Sequence, residues 1–137
     1  MYLLDTNAIS ELRRIKPHGA VLAWIESVDD ADLFISVVTL AEIQAGIEIT
    51  CEQDTKKALE LELWLNSVAS SYNILDMDSR IFRLWAKWMH RLSDTLYEDG
   101  MIAATAKVHN LKVVTRNVSD FGEFDVDILN PFEFEQA

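Results

Sequence analysis

The sequence is short of cysteine, histidine, proline and positive charge. Cys51 is its one cysteine, which excludes an internal disulfide, and His18, His90 and His109 are too scattered along the chain to suggest a zinc site. Any metal held here would take oxygen ligands. The two prolines, Pro17 and Pro131, fall outside every helical pattern, and Gly19 beside the first marks a turn between helices. No apolar run approaches the roughly 18 residues of a membrane span, and no charged start leads into the apolar run of a signal peptide. A soluble, cytoplasmic protein is expected. Twelve Lys and Arg stand against 23 Asp and Glu, a formal net charge of −11, the wrong sign for a protein that grips nucleic acid with its whole surface. A nucleic-acid role would have to be local.

What is present is a chain of 137 residues, half of them hydrophobic, enough for one domain, residues 1–137, with a core that needs no staples. Short apolar runs alternate with amphipathic segments: YLL then ISELRR, LFISV then TLAEIQAGIE, NIL then a helix from about Ser79 to Leu92, and VVT after MIAATAKVHN. Strands alternating with helices of this length predict βαβ units and an α/β fold with a parallel sheet. Further helices are expected over roughly 20–28 and 54–70. A last strand near Val126 to Leu129 leads into NPFEFEQA, read as a tail with little fixed structure at its end.

In an open parallel sheet the reactive ground lies outside the carboxyl ends of the strands, and four segments place acids there. Asp5 ends YLLD and is followed by Thr6 and Asn7, all three able to cap a helix. Glu42 follows the second strand by a turn, where Thr39 and Glu42 have the spacing of a capping box. Asp99 opens the small-residue helix, where a helix dipole favours a carboxylate. Asp120 follows VVT, and with Asn117 it reads as a turn former. Each acid has an ordinary structural job, but four caps do not require four acids at one sheet edge. Clustered carboxylates raise one another's pKa, and a divalent oxygen-seeking cation relieves that conflict.

DTNAISEL, SVVTLAEIQAG, DGMIAATAKVHNLKVVTRNVSDF and ILNPF, in that order, resemble a PIN-domain protein of the VapC-type toxin ribonuclease group. The likeness is weakest through residues 50–95. It implies a PIN-like fold, a five-stranded parallel sheet flanked by helices on both faces. It also implies an endoribonuclease dependent on Mg²⁺ or Mn²⁺, a cognate VapB-like antitoxin, and a homodimer. Transferred residue by residue, it makes Asp5, Glu42, Asp99 and Asp120 the catalytic acids. Asp5 and Asp99 hold the metal, with Glu42, Asp120 and Asn117 as further candidate ligands. Many PIN domains carry an aspartate where this chain has Asn117, so either Asn117 or Asp120 completes the site. Thr6, Asn7 and Thr115 would hold the carboxylates in place.

Substrate must still approach an acidic protein. Arg80, Arg83, Lys87 and Arg91 recur at helical spacing and are expected to share one helix face. With Arg116, and extended by Arg13, Arg14 and Lys16, they are a candidate phosphate track for RNA; the ordinary alternative is a solvated helix face. Trp85 and Trp88 are read as core or interface residues. A haloacid-dehalogenase-type phosphatase would need a second aspartate where Asn7 stands. A receiver-type signalling domain would use Asp76 or Asp78, but would want a lysine after the fifth strand and leaves Glu42 and Asp99 without a role. A PIN fold weakened in catalysis and acting as a binding module stays open because of Asn117.

Overall fold

The computed structural model describes residues 1–135. Its strands are β1 Tyr2–Leu4, β2 Leu33–Ser36, β3 Asn73–Leu75, β4 Lys112–Val114 and β5 Ile128–Leu129, joined into one parallel sheet in the order β3-β2-β1-β4-β5. Its helices are α1 Thr6–Glu11, α2 Gly19–Glu26, α3 Val37–Cys51, α4 Thr55–Ser71, α5 Ser79–Met89, α6 Tyr97–His109 and α7 Val118–Phe121. The expected α/β architecture is therefore the observed one.

Alternation along the strands sends Leu3 and Val113 into one core and Leu4 and Val114 into the other. All four are essentially inaccessible to water, because helices cover both faces, as a purely parallel sheet requires. Residues of α1, α2 and α4, namely Ala8, Ile9, Trp24 and Val68, close one side. Met89 of α5, Ile102, Ala103 and Ala106 of α6, and Phe121 of α7 close the other. Helix α3 starts at the sheet edge and pairs with α4 around Ile47, Ala58 and Leu65.

The residues that follow the strands start the helices. Asp5 caps α1, Ser36 caps α3 with its Oγ accepting from the Val38 N–H at 3.1 Å, and Asp78 caps α5 by accepting from the Ile81 N–H at 3.0 Å. Helix α3 thus begins three residues before the expected capping box, so Thr39 and Glu42 lie inside it. Helix α6 likewise begins at Tyr97, which places Asp99 within its first turn.

One expectation is corrected. Helix α5 stops at Met89 rather than Leu92: His90 leaves helical geometry and Arg91 turns left-handed at φ 73°. The Leu92 N–H then bonds to the Met89 carbonyl at 2.9 Å, so Leu92 reaches the core through a tight turn although its spacing from Met89 imitates a helix. Arg91 consequently leaves the face shared by Arg80, Arg83 and Lys87. The start of the tail is also structured. Asn130 Oδ1 accepts from the Phe132 N–H at 3.0 Å across a single 3₁₀ turn, Pro131–Glu133, and the Phe132 ring meets His18 edge-on at 5.2 Å. Gln136 and Ala137 lie outside the described residues.

Two helical glycines sit in opposite surroundings. A methyl group on Gly100 would lie 2.8 Å from Met89 Sδ and 3.1 Å from a Trp85 ring carbon, whereas one on Gly46 would meet open space. Gly100→Ala is expected to destabilise by about 1 kcal/mol, overpacking outweighing the gain in helix propensity. Gly46→Ala should stabilise by up to about 1 kcal/mol. Chemical denaturation of the two variants, which carry the same substitution with opposite signs, checks both.

Candidate active site

The strand order reverses between β1 and β4, and Asp5 stands at that switch point. Its N–H donates to the Val114 carbonyl at 2.9 Å. Its carboxylate accepts from the Thr6 N–H at 2.7 Å through Oδ1 and from the Thr115 hydroxyl at 2.9 Å through Oδ2. Thr115 in turn accepts from the Asn117 N–H at 2.9 Å. The carboxylate is buried, and desolvation pushes its pKa up while the two hydrogen bonds pull it back. Asp5 is thus both the cap of α1 and a fixed anion at the sheet edge. Its neighbour Asn7 accepts weakly from the Arg116 N–H at 3.4 Å, tying α1 to the turn after β4.

Thr6 reaches toward α3. Its hydroxyl donates to Glu42 Oε1 at 3.0 Å and lies 3.2 Å from the hydroxyl of Thr39, which is fully buried. The capping-box reading of Thr39 and Glu42 is therefore overturned: Ser36 caps the helix, and the pair instead face α1. Partial burial raises the Glu42 pKa, opposed by the Thr6 bond and reinforced by the charges of Asp5 and Glu98.

Asp99 carries the largest perturbation. Desolvation comes first, then the charges of Asp5, Asp120, Glu42 and Glu98, and together they push its pKa to about 7. A first-turn carboxylate responding only to the helix dipole would shift downward, so the acids around it outweigh the dipole. Asp120 lies in α7 and accepts from the Asn117 side-chain amide at 2.8 Å. The two candidates for the fourth position are therefore coupled, with Asn117 holding Asp120. Acids from three other segments, Asp5, Glu42 and Asp120, thus act electrostatically on Asp99 at the crevice outside the strand ends.

Sequence reasoning missed two acids. Glu98 is exposed, yet its charge acts on both Glu42 and Asp99; its only signal is its place beside Asp99. Glu11 is buried and braces the turn into α2, accepting from the His18 N–H at 2.9 Å and from Arg14 at 3.3 Å. Of the basic residues, Arg80 is tied to Asp78 at 2.8 Å, Arg83 and Lys87 are exposed, and the Arg116 guanidinium lies 4.3 Å over the Phe132 ring. Trp85 donates from Nε1 to the Tyr97 carbonyl at 3.0 Å and Trp88 packs beside Phe124, in keeping with their reading as packing residues.

An all-oxygen donor set in which burial and then neighbouring acids raise the pKa values of Glu42 and Asp99 suits a hard divalent cation. Among the described residues no three acids, cysteines or histidines form a ready-made cage.

The family model for the PIN domain matches residues 2–126. Toxin FitB of Neisseria gonorrhoeae is 34% identical over 138 residues, covering 96% of this chain and 99% of FitB. VapC ribonuclease Y4jK of Sinorhizobium fredii is also 34% identical, covering 97% and 99%. The crystal structure of FitAcB from N. gonorrhoeae superposes with a TM-score of 0.87 at 34% identity, covering 98% of this chain and all of that one. A toxin-antitoxin complex from Klebsiella pneumoniae, 24% identical and covering 98% and 100%, shares the fold at a TM-score of 0.67. The chain belongs to the PIN domain family.

The raised Asp99 pKa fixes the sign of a pH effect. Below its ordinary value of 3.8 the carboxyl is protonated in both folded and unfolded chains. As pH rises toward about 7 the unfolded chain gives up that proton while the folded chain keeps it, so metal-free stability falls across this window. Asp99→Asn should stabilise the metal-free protein by something on the order of 1 kcal/mol at pH 8, a value reduced for solvent screening, and by little near pH 4. Denaturation in EDTA at the two pH values checks this, and a mutant destabilised at both would mean that capping is the carboxylate's main work.

Proposed function

We propose that this PIN-domain protein is the toxin ribonuclease of a type II toxin-antitoxin pair, hydrolysing RNA phosphodiester bonds at the edge formed by Asp5, Glu42, Asp99 and Asp120. The observation that carries the reading is the carboxyl of Asp99, pushed to about 7 by burial and by acids from three other segments. Such an arrangement weakens the metal-free fold and suits a site completed by a cation. Likeness over almost the whole chain to a protein named as a toxin and to one named as a VapC ribonuclease supports it.

Asp5 and Asp99 would hold Mg²⁺ or Mn²⁺, with Glu42 and Asp120 turned toward its waters. The bound ion would supply charge neutralisation on the phosphate and a water of lowered pKa. The chain's own part is orientation. Thr115 and the Thr6 N–H leave Asp5 little freedom, the Thr6 hydroxyl aims Glu42, and the Asn117 amide holds Asp120. No histidine is among the groups linked to these acids, so proton removal falls to a carboxylate or a water. Arg83 and Lys87, one helical turn apart and exposed on α5, are proposed as remote phosphate contacts.

A net charge of −11 and a cation-seeking crevice fit an antitoxin with a positively charged segment that places an Arg or Lys among the acids, and the active form is proposed to be a homodimer. No helix among the described residues is long and apolar enough to cross a membrane. Residue Asn117, neutral where the family resemblance implies an acid, favours a second reading in which the protein binds RNA without cutting it.

Purified protein mixed with RNA, with and without Mn²⁺, separates the two. Asp5→Asn, Glu42→Gln and Asp99→Asn should each abolish metal-dependent cleavage, and Asp120→Asn should reduce it less. Unchanged cleavage by Asp99→Asn would remove that residue from the site. Millimolar Mg²⁺ or Mn²⁺ should raise the melting temperature of wild type, because an ion bound only by the folded state stabilises it, and should raise that of Asp99→Asn less. Expression alone should arrest a bacterial host until a cognate antitoxin is supplied.

A further inference from the structure

Two arginines flank the acid edge, each over an aromatic ring. Arg116 directly follows Thr115, the residue that donates to Asp5, and its guanidinium sits 4.3 Å from the centre of the Phe132 ring. Arg13 lies just beyond the C-terminal end of α1, 5.9 Å from the ring of Trp64 on α4. In the sheet order β3-β2-β1-β4-β5, Phe132 follows the β5 edge, while Trp64 belongs to the helix leading into β3 at the other. Strand β1 lies between β2 and β4, so Arg116, which follows β4, and the Arg13 cleft, which contains Glu42 on the helix after β2, adjoin Asp5 from opposite sides. A cleft of about 280 Å³ connects Arg13 and Trp64 with Thr6 and Glu42, over a floor of Ile43 and Leu61.

Neither guanidinium forms an ion pair among the described residues, although carboxylates are abundant; the pairs present join Arg14, Arg80 and Lys107 to acids. A ring attracts a guanidinium through its negative face without neutralising it, and leaves the N–H fork open to a phosphate. A carboxylate partner would fill that fork. The acids between the two seats repel a polyanion, so a substrate strand needs cations on both sides of them.

We propose that a single RNA strand crosses the acid edge from the Arg13–Trp64 cleft to the Arg116–Phe132 seat, the two arginines binding phosphates on either side of the scissile one. Phe132 and Trp64 are positioning residues that act through the arginines. The inference rests on the ribonuclease reading and adds to it the path of the substrate, which uses the tail after β5 as part of the site.

The experiment measures cleavage of a single-stranded RNA oligonucleotide and of a dinucleoside monophosphate, whose single phosphate is the scissile one, with Mn²⁺ present. Binding of the oligonucleotide across a salt series is followed in Asp99→Asn protein. Arg13→Ala and Arg116→Ala should each raise the oligonucleotide KM roughly tenfold, as loss of one charge-assisted contact implies, with kcat little changed. Each should also flatten the salt slope by about 0.7, the value for one phosphate on a single strand. Dinucleotide cleavage should be insensitive to both. Phe132→Leu should reproduce Arg116→Ala, Phe132→Tyr should restore wild-type behaviour, and Phe132→Leu combined with Arg116→Ala should be no worse than Arg116→Ala alone. Trp64→Leu and Trp64→Phe should bear the same relation to Arg13→Ala. Thermal melts confirm that the leucine variants fold.

Wild-type slopes and KM values in both alanine variants, or ring effects that simply add to the arginine effects, would overturn the proposal while leaving the nuclease intact. A wild type that cleaves neither substrate overturns the ribonuclease reading and this inference with it.

Discussion

The hydrogen bond from Thr115 to the buried carboxylate of Asp5, 2.9 Å long, is the constraint on which the site depends. It joins the ends of β1 and β4, the two strands between which the sheet reverses its order, and so fixes the floor of the crevice. A buried carboxylate left without that partner would keep its desolvation penalty and lose part of the compensation. The same anion caps α1, which aims Thr6 at Glu42 on α3 and sets Asn7 beside the turn carrying Arg116. On the proposed reading fold and chemistry share one residue here, so that substitution of Asp5 would disturb both. Asp99 is the cleaner probe of the chemistry because its charge is not spent on holding strands together.

The electrostatics of the crevice set stability against function. Asp5, Glu42 and Asp99 all have pKa values raised first of all by desolvation, so the folded chain carries charges that water would solvate better. Threonine hydroxyls and the Thr6 backbone N–H offset part of this for Asp5 and Glu42, and Asp99, with acids on several sides, retains the most. The sealed cores on the two faces of the sheet, built on Leu3, Leu4, Val113 and Val114, are what tolerate such a cluster at its edge. Aromatic seats for Arg13 and Arg116 serve the same balance, since they keep two cations near the acids without pairing them to carboxylates.

Much of the molecule is legible in the sequence because strand and helix obey different spacing rules, and acids at strand ends stand out against apolar runs. YLLD, LFISV and VVT read directly as buried strands, and the order of the acids along the chain leads to their meeting place. What was not legible has physical causes. Thr39 and Glu42 imitate a capping box, but Ser36 three residues earlier has the free hydroxyl and the extended backbone to cap α3 first. Met89 and Leu92 imitate one helix face, but a left-handed Arg91 delivers Leu92 by a turn. The contacts of Phe132 with Arg116 and His18 join positions distant in sequence, and no local pattern announces them.

The span of that central hydrogen bond has a consequence for how the protein comes into being. Asp5 and Thr115 are separated by 110 positions, so Asp5 leaves the ribosome well before its donor. Strand β1 cannot take its place beside β4 until the residues between them have been synthesised. At ordinary rates of translation the delay is on the order of ten seconds. During that interval the nascent chain holds Glu42 without Asp99 and Asp5 without its donor. A ribosome reading this message therefore does not carry an assembled acid crevice at its exit until β4 has followed β1 out of it.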